Sequence, residues 1–127
     1  MSDSSYVLDA SAILALLNNE PGADRVQAAL TDAVCVMSVV NWSEVARKLV
    51  LRHQSVESVA DSLMALGLVF KDFNYRQATA TARILALSLS LGDRVCLALS
   101  LELGATALTA DKIWTSLATG VNIELIR

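Results

Sequence analysis

Short apolar runs alternate with stretches of helical period along the whole chain. Tyr6, Val7 and Leu8 form a β-type run that stops at Asp9, and a helical pattern follows over about 10–18. Pro21 suits the first turn of another helix, reaching about residue 30. The run AVCVMS, 33–38, reads as a second strand. Ser38 can cap a long helix to about residue 53, with an apolar stripe of Trp42, Val45, Ala46 and Leu49. Ser55 opens a further helix to about 66, and Gly67 stands where a left-handed C-cap is wanted. A strand at 68–70, a helix over about 74–85 and an apolar connection, LALSLSLGD, come next. The remaining pattern gives a helix over 93–103 closed by Gly104, a strand at 106–109, a helix over about 111–118 and a last strand at 122–126.

Strands alternating with helices predict an α/β fold, a mostly parallel sheet with helices on both faces. One proline and five glycines are too few for the many turns of an all-β protein. No repeat, linker or low-complexity tract divides the 127 residues, which suit one domain. In open parallel sheets ligands bind outside the carboxyl ends of the strands. Asp9 and Asp111 both follow predicted strands, which puts them on that side.

Composition narrows the picture. Hydrophobic residues are 54% of the chain, enough for a packed core. A net charge of −3 argues against a general nucleic-acid binder, although cations bound at an acidic site can offset it locally. The first five residues carry an acid and no basic stretch, unlike a secretory signal. The candidate apolar run, 84–92, is interrupted at Asp93 and Arg94, and no uncharged apolar run approaches the roughly 18 residues a membrane helix needs. A cytoplasmic protein is the expectation. Cys35 and Cys96 have apolar neighbours and no CxxC spacing, so both read as buried small hydrophobes.

The candidate chemistry lies in four acids. Asp9, Asp93 and Asp111 each precede a helical pattern, and each could simply be a helix cap. Glu44 could be a surface residue paired with Lys48 one turn on. Brought together, however, the four would offer the hard oxygen ligands that Mg²⁺ or Mn²⁺ prefers. Metal ions so held can activate water and stabilise the leaving oxygen of a phosphodiester.

The segments around these acids resemble a known family. YVLDASAILALL, with Asp9 followed by a small residue and the hydroxyl of Ser11, resembles the opening of PIN domains. SVVNWSEVARKL, with Glu44, resembles their second motif. LSLGDRVCLALSLELGATALTADKIW, with Asp93 and Asp111, resembles the third and fourth in tandem. Order and spacing resemble the VapC-like toxins of type II toxin–antitoxin systems, over Tyr6 to Trp114. The resemblance implies a PIN-like three-layer fold, a single domain over 1–127, and a Mg²⁺- or Mn²⁺-dependent endoribonuclease. It makes Asp9, Glu44, Asp93 and Asp111 the catalytic and metal-binding residues, with Ser11 in support. It also implies a homodimer and a small VapB-like antitoxin as partner.

Other residues matter less to that chemistry. His53, the only histidine, has no evident partner for acid–base work. Arg47, Lys48 and Arg52 form either a solvated face or a track for RNA phosphates. Trp42 fits the core stripe, and Trp114 suits core or partner packing. Two alternatives stay open. A magnesium-binding receiver-like signalling module would need a middle-strand acid, for which Asp72 is the candidate, but no second acid follows Asp9 and no lysine follows the last strand. A PIN-like domain used only for binding is the other.

Overall fold

The computed structural model describes residues 4–127, so the first three of the opening residues read above lie outside the described part. Five strands form one sheet: β1 (Ser5–Leu8), β2 (Val34–Ser38), β3 (Leu68–Lys71), β4 (Thr106–Thr109) and β5 (Ile123–Leu125). Their order is β3-β2-β1-β4-β5 and every neighbouring pair is parallel. The helices are α1 (Ala10–Leu17), α2 (Ala23–Asp32), α3 (Val39–Leu51), α4 (Val56–Ala65), α5 (Tyr75–Ala82) and α6 (Leu91–Leu103), with a 3₁₀ turn at Lys112–Ser116.

Side-chain alternation sorts the core onto the two faces of the sheet. Leu8, Cys35, Met37 and Leu108 join Ile13, Val26, Val45 and Leu63 on one face. Val7, Val36 and Ala107 join Cys96, Leu97, Leu99 and Trp114 on the other. Both thiols are free and buried, as their apolar surroundings implied. Burial pushes the Cys35 thiol up to about 11.

The strand order reverses between β1 and β4. From β1 the chain winds outward through β2 to β3, then returns to the other side of β1 for β4 and β5. Such a reversal opens a crevice at the carboxyl ends of the two adjoining strands. It also removes the receiver alternative, whose order is of the 2-1-3-4-5 type. Here β3 is an edge strand, and Asp72 follows it at that edge rather than mid-sheet.

Several boundaries differ from the sequence pattern, each for a local reason. Helix α2 begins at Ala23 behind Gly22, whose φ of +99° serves as the cap, so Pro21 sits in the preceding turn and not in the helix. Helix α6 begins at Leu91, two residues ahead of the expected start. Ser90 and Asp93 form a reciprocal capping box there, so Asp93 is the third helical residue and not a boundary. Helix α5 stops at Ala82, and Asp111 opens a 3₁₀ turn in place of a full helix. Helix α3 ends at Leu51, and His53 lies beyond it at φ +57°.

Candidate metal centre

The carboxyl end of β1 delivers Asp9 as the cap of α1. Its Oδ1 accepts from the Ala12 amide at 2.9 Å and the Ser11 hydroxyl at 2.7 Å. Its Oδ2 accepts from the Thr109 hydroxyl, the last side chain of β4, at 2.6 Å. The same two hydroxyls accept in turn from backbone: Ser11 from the Ala110 amide at 2.9 Å, Thr109 from the Asp111 amide at 3.0 Å. The ends of β1 and β4 are thus clasped around one carboxylate. Both hydroxyl protons point at Asp9, an arrangement suited to its ionised form.

Burial opposes that charge. Asp9 is 5% exposed, and desolvation raises its carboxyl above the ordinary 3.8. Hydrogen bonds from Thr109, Ser11 and Ala12 pull it down, while the nearby charge of Asp93 adds to the rise.

The other three acids reach the same place from separate segments. A pocket of about 250 Å³ is lined by Asp9, Ala10, Ser11, Leu14, Asn41, Glu44, Lys48, Asp93 and Asp111. Asp93 accepts from the Ser90 amide at 3.1 Å, and Asp111 caps the 3₁₀ turn through the Ile113 amide at 3.1 Å. Capping and pocket lining are therefore not alternatives: three of the acids do both. Glu44 comes from α3. Among the described residues the ion pairs are Arg25–Glu124 and Arg127–Glu20, so the Glu44–Lys48 pair, the alternative to a site role for Glu44, is not formed.

Of the three basic residues, Lys48 lines the pocket, Arg47 is exposed outside the lining, and Arg52 donates to the Asn18 side chain at 3.2 Å. Trp42 is half-buried with its ring 5.1 Å from that of Phe70, and Trp114 is fully buried. Pattern reading missed two groups of the site: Thr109, buried behind Asp9, and Asn41, which lines the pocket. Asn41 is 1% exposed and shares the buried stripe of α3 with Val45 and Leu49. A polar residue four positions before Val45 on that stripe was the available signal. Its amide donates to the Gly92 carbonyl at 2.9 Å and to Glu44 Oε1 at 3.2 Å, while its Oδ1 has no partner.

These residues fit a magnesium-type ion. The donors are hard oxygens, and one of them, Asp9, is buried with its negative charge uncompensated by any ion pair among the described residues. Among those residues no three Asp, Glu, His or Cys side chains close up into a ready cage. A hydrated Mg²⁺ needs only one or two direct carboxylates, with water and phosphate completing its shell.

Comparison with known proteins follows the same lines. The PIN domain family model matches residues 6–119. No curated protein matches. Among solved structures, a toxin–antitoxin complex from Klebsiella pneumoniae is similar at TM-score 0.77 and 16% identity, covering 96% of this chain and 98% of that one. DNA-bound VapBC from Salmonella typhimurium is similar at TM-score 0.75 and 15% identity, with 98% and 99% covered. Mycobacterium tuberculosis VapC20, described as a Sarcin-Ricin loop cleaving toxin, is similar at TM-score 0.65 and 17% identity, with 87% and 93% covered.

Proposed function

The chain belongs to the PIN domain family, and from that premise we propose that it is a metal-dependent endoribonuclease acting as the toxin of a toxin–antitoxin pair. The observation that carries this reading is the pocket at the β1–β4 reversal, which gathers Asp9, Glu44, Asp93 and Asp111 from four segments. Asp9 and Asp93 would hold Mg²⁺ or Mn²⁺ directly, with Asp111 and Glu44 completing the shell directly or through water. The bound ion would supply an activated water and charge stabilisation for phosphodiester hydrolysis. Ser11 and Thr109 orient the Asp9 carboxylate, and Lys48 gives the pocket a cation to meet a backbone phosphate.

RNA as substrate is supported by the cleaving activity ascribed to the mycobacterial neighbour, and an antitoxin partner by the complexes in which the neighbours were solved. We further read the protein as a homodimer of single-domain protomers working in the cytoplasm. No described helix is long and apolar enough to cross a membrane. A silencing antitoxin would place a guanidinium among the four carboxylates, where it pairs well and competes with metal.

The test is cleavage of labelled RNA by the purified chain. Chelation should abolish it, and added Mg²⁺ or Mn²⁺ should restore it. Undiminished cleavage in excess EDTA would sink the metal reading. Intact RNA under every metal condition would sink the nuclease reading.

A further inference from the structure

Glu44 differs from the other three acids in how it is held. Asp9, Asp93 and Asp111 are fixed by caps at the starts of helical segments, whereas Glu44 projects from within α3 on a long, rotatable side chain. Two neighbours restrain it. The Asn41 amide bridges Glu44 Oε1 on its own helix and the Gly92 carbonyl on α6. Both bonds are donations from Nδ2 to oxygen acceptors, so the orientation of the amide is fixed by its partners. Gly92, for its part, leaves a gap. A Cβ placed on it would lie 2.5 Å from Glu44 Oε1 and 2.9 Å from Oε2, so the carboxylate would have to swing out of its place. Gly92 is the second residue of α6, so the carboxylate rests against the first turn of a 13-residue helix, where the dipole favours an anion.

A glycine inside a first helical turn is not explained by backbone freedom, because Gly92 has no positive φ. Its missing Cβ leaves the space that the Glu44 carboxylate occupies. Asn41 is likewise costly as a core residue: it is 1% exposed and its Oδ1 is left without a donor. An apolar residue would fill the same stripe beside Val45 and Leu49 without that orphan.

We propose that Asn41 and Gly92 form a seat that positions the Glu44 carboxylate in the pocket it shares with Asp9, Asp93 and Asp111. Asn41 is a positioning residue acting through Glu44. This rests on the metal-dependent reading above, and it names the residues that set the fourth carboxylate of that site.

The experiment titrates Mn²⁺ into the full chain and counts free ion by its paramagnetic resonance signal. Asn41→Ala and Gly92→Ala should each weaken Mn²⁺ binding by roughly 10–100-fold, the usual cost of losing support behind a ligand. Gly92→Ala replaces glycine by a better helix former, so it keeps the test alive if Asn41→Ala fails to fold. In a Glu44→Ala background, Gly92→Ala should have no further effect. Parental Mn²⁺ affinity in Gly92→Ala, or an undiminished loss in the Glu44→Ala background, overturns the seat. A purely structural Asn41 would lower the melting temperature and leave Mn²⁺ affinity alone. If the parent itself binds no Mn²⁺, the metal reading fails separately, and the Asn41 side-chain amide protons decide the seat by nuclear magnetic resonance. Slow exchange in the parent, lost in Gly92→Ala, supports it; fast exchange in the parent overturns it.

Discussion

Two regions of this molecule treat their carboxylates in opposite ways. On the α1–α2 side, Glu124 of β5 is paired with the Arg25 guanidinium of α2. Arg25 also donates to the Tyr6 hydroxyl at 2.8 Å and lies 5.1 Å from the centre of that ring. Arg25 and Glu124 each find their partner on another element, which is how a fold is tied together. At the β1–β4 reversal four carboxylates line one pocket, and none of them is in an ion pair among the described residues. Like charges gathered without compensation destabilise a resting protein, so such a cluster needs a reason other than stability. Loss of the paired charge at the first region should therefore weaken the fold and spare the chemistry, and loss of a pocket carboxylate at the second should do the reverse.

Asp9→Asn gives the largest separation. RNA cleavage should fall roughly 100-fold or more, since even groups behind a metal ligand cost 10–100-fold. The fold should survive, because Asn also caps helices well. Stability should even rise in the absence of metal. Folded Asp9 keeps its proton to higher pH than the unfolded chain does, so raising pH from 3.8 through the folded-state value ionises it at the expense of the fold. Metal-free parent should lose stability across that window and stay lower above it, while Asp9→Asn should not. Melting curves over pH check this; a variant that melts below the parent at neutral pH breaks the contrast.

Thr109→Val is the next step down. It removes the 2.6 Å donor to Asp9 and leaves the Asp111 amide without its acceptor. The loss should be about 1–3 kcal/mol, and the acid limb of the cleavage profile should move to higher pH as Asp9 holds its proton more tightly. An unmoved limb would show that Asp9 does not set it. Arg25→Ala should cost about 1 kcal/mol, because the pair is a third exposed, and leave the Mg²⁺-induced rise in melting temperature unchanged. A reduced rise would couple the two regions and erase the distinction. Smallest of all, Lys48→Ala should lower the salt dependence of RNA binding by roughly 0.7 in log–log slope, one phosphate contact on a single strand. An unchanged slope would place the phosphates elsewhere.

Local pattern carried most of the elements. Apolar runs in β1 and β2 and caps such as Ser38 and Ser55 are nearest-neighbour properties, and each reappears in the fold. Where pattern erred, a distant partner had changed the local meaning. Helix α6 packs against β1, β2, β4, α3 and α5, so its middle is buried all round and its apolar run gave no boundary. Asn41 looked like an ordinary polar position because its partner, the Gly92 carbonyl, is 51 residues away.

By itself, the sequence determined the alternation of strands and helices, the parallel sheet it demands, and four acids in an order that resembles PIN domains. Those depend on period, propensity and spacing, which act within a few residues. Only the tertiary structure decided that β1 and β4 are neighbours, that Thr109 and Ser11 share Asp9, and that Glu44 lies against Gly92. Each of those is a contact between segments tens of residues apart, and its energy depends on shape and burial that no local pattern encodes.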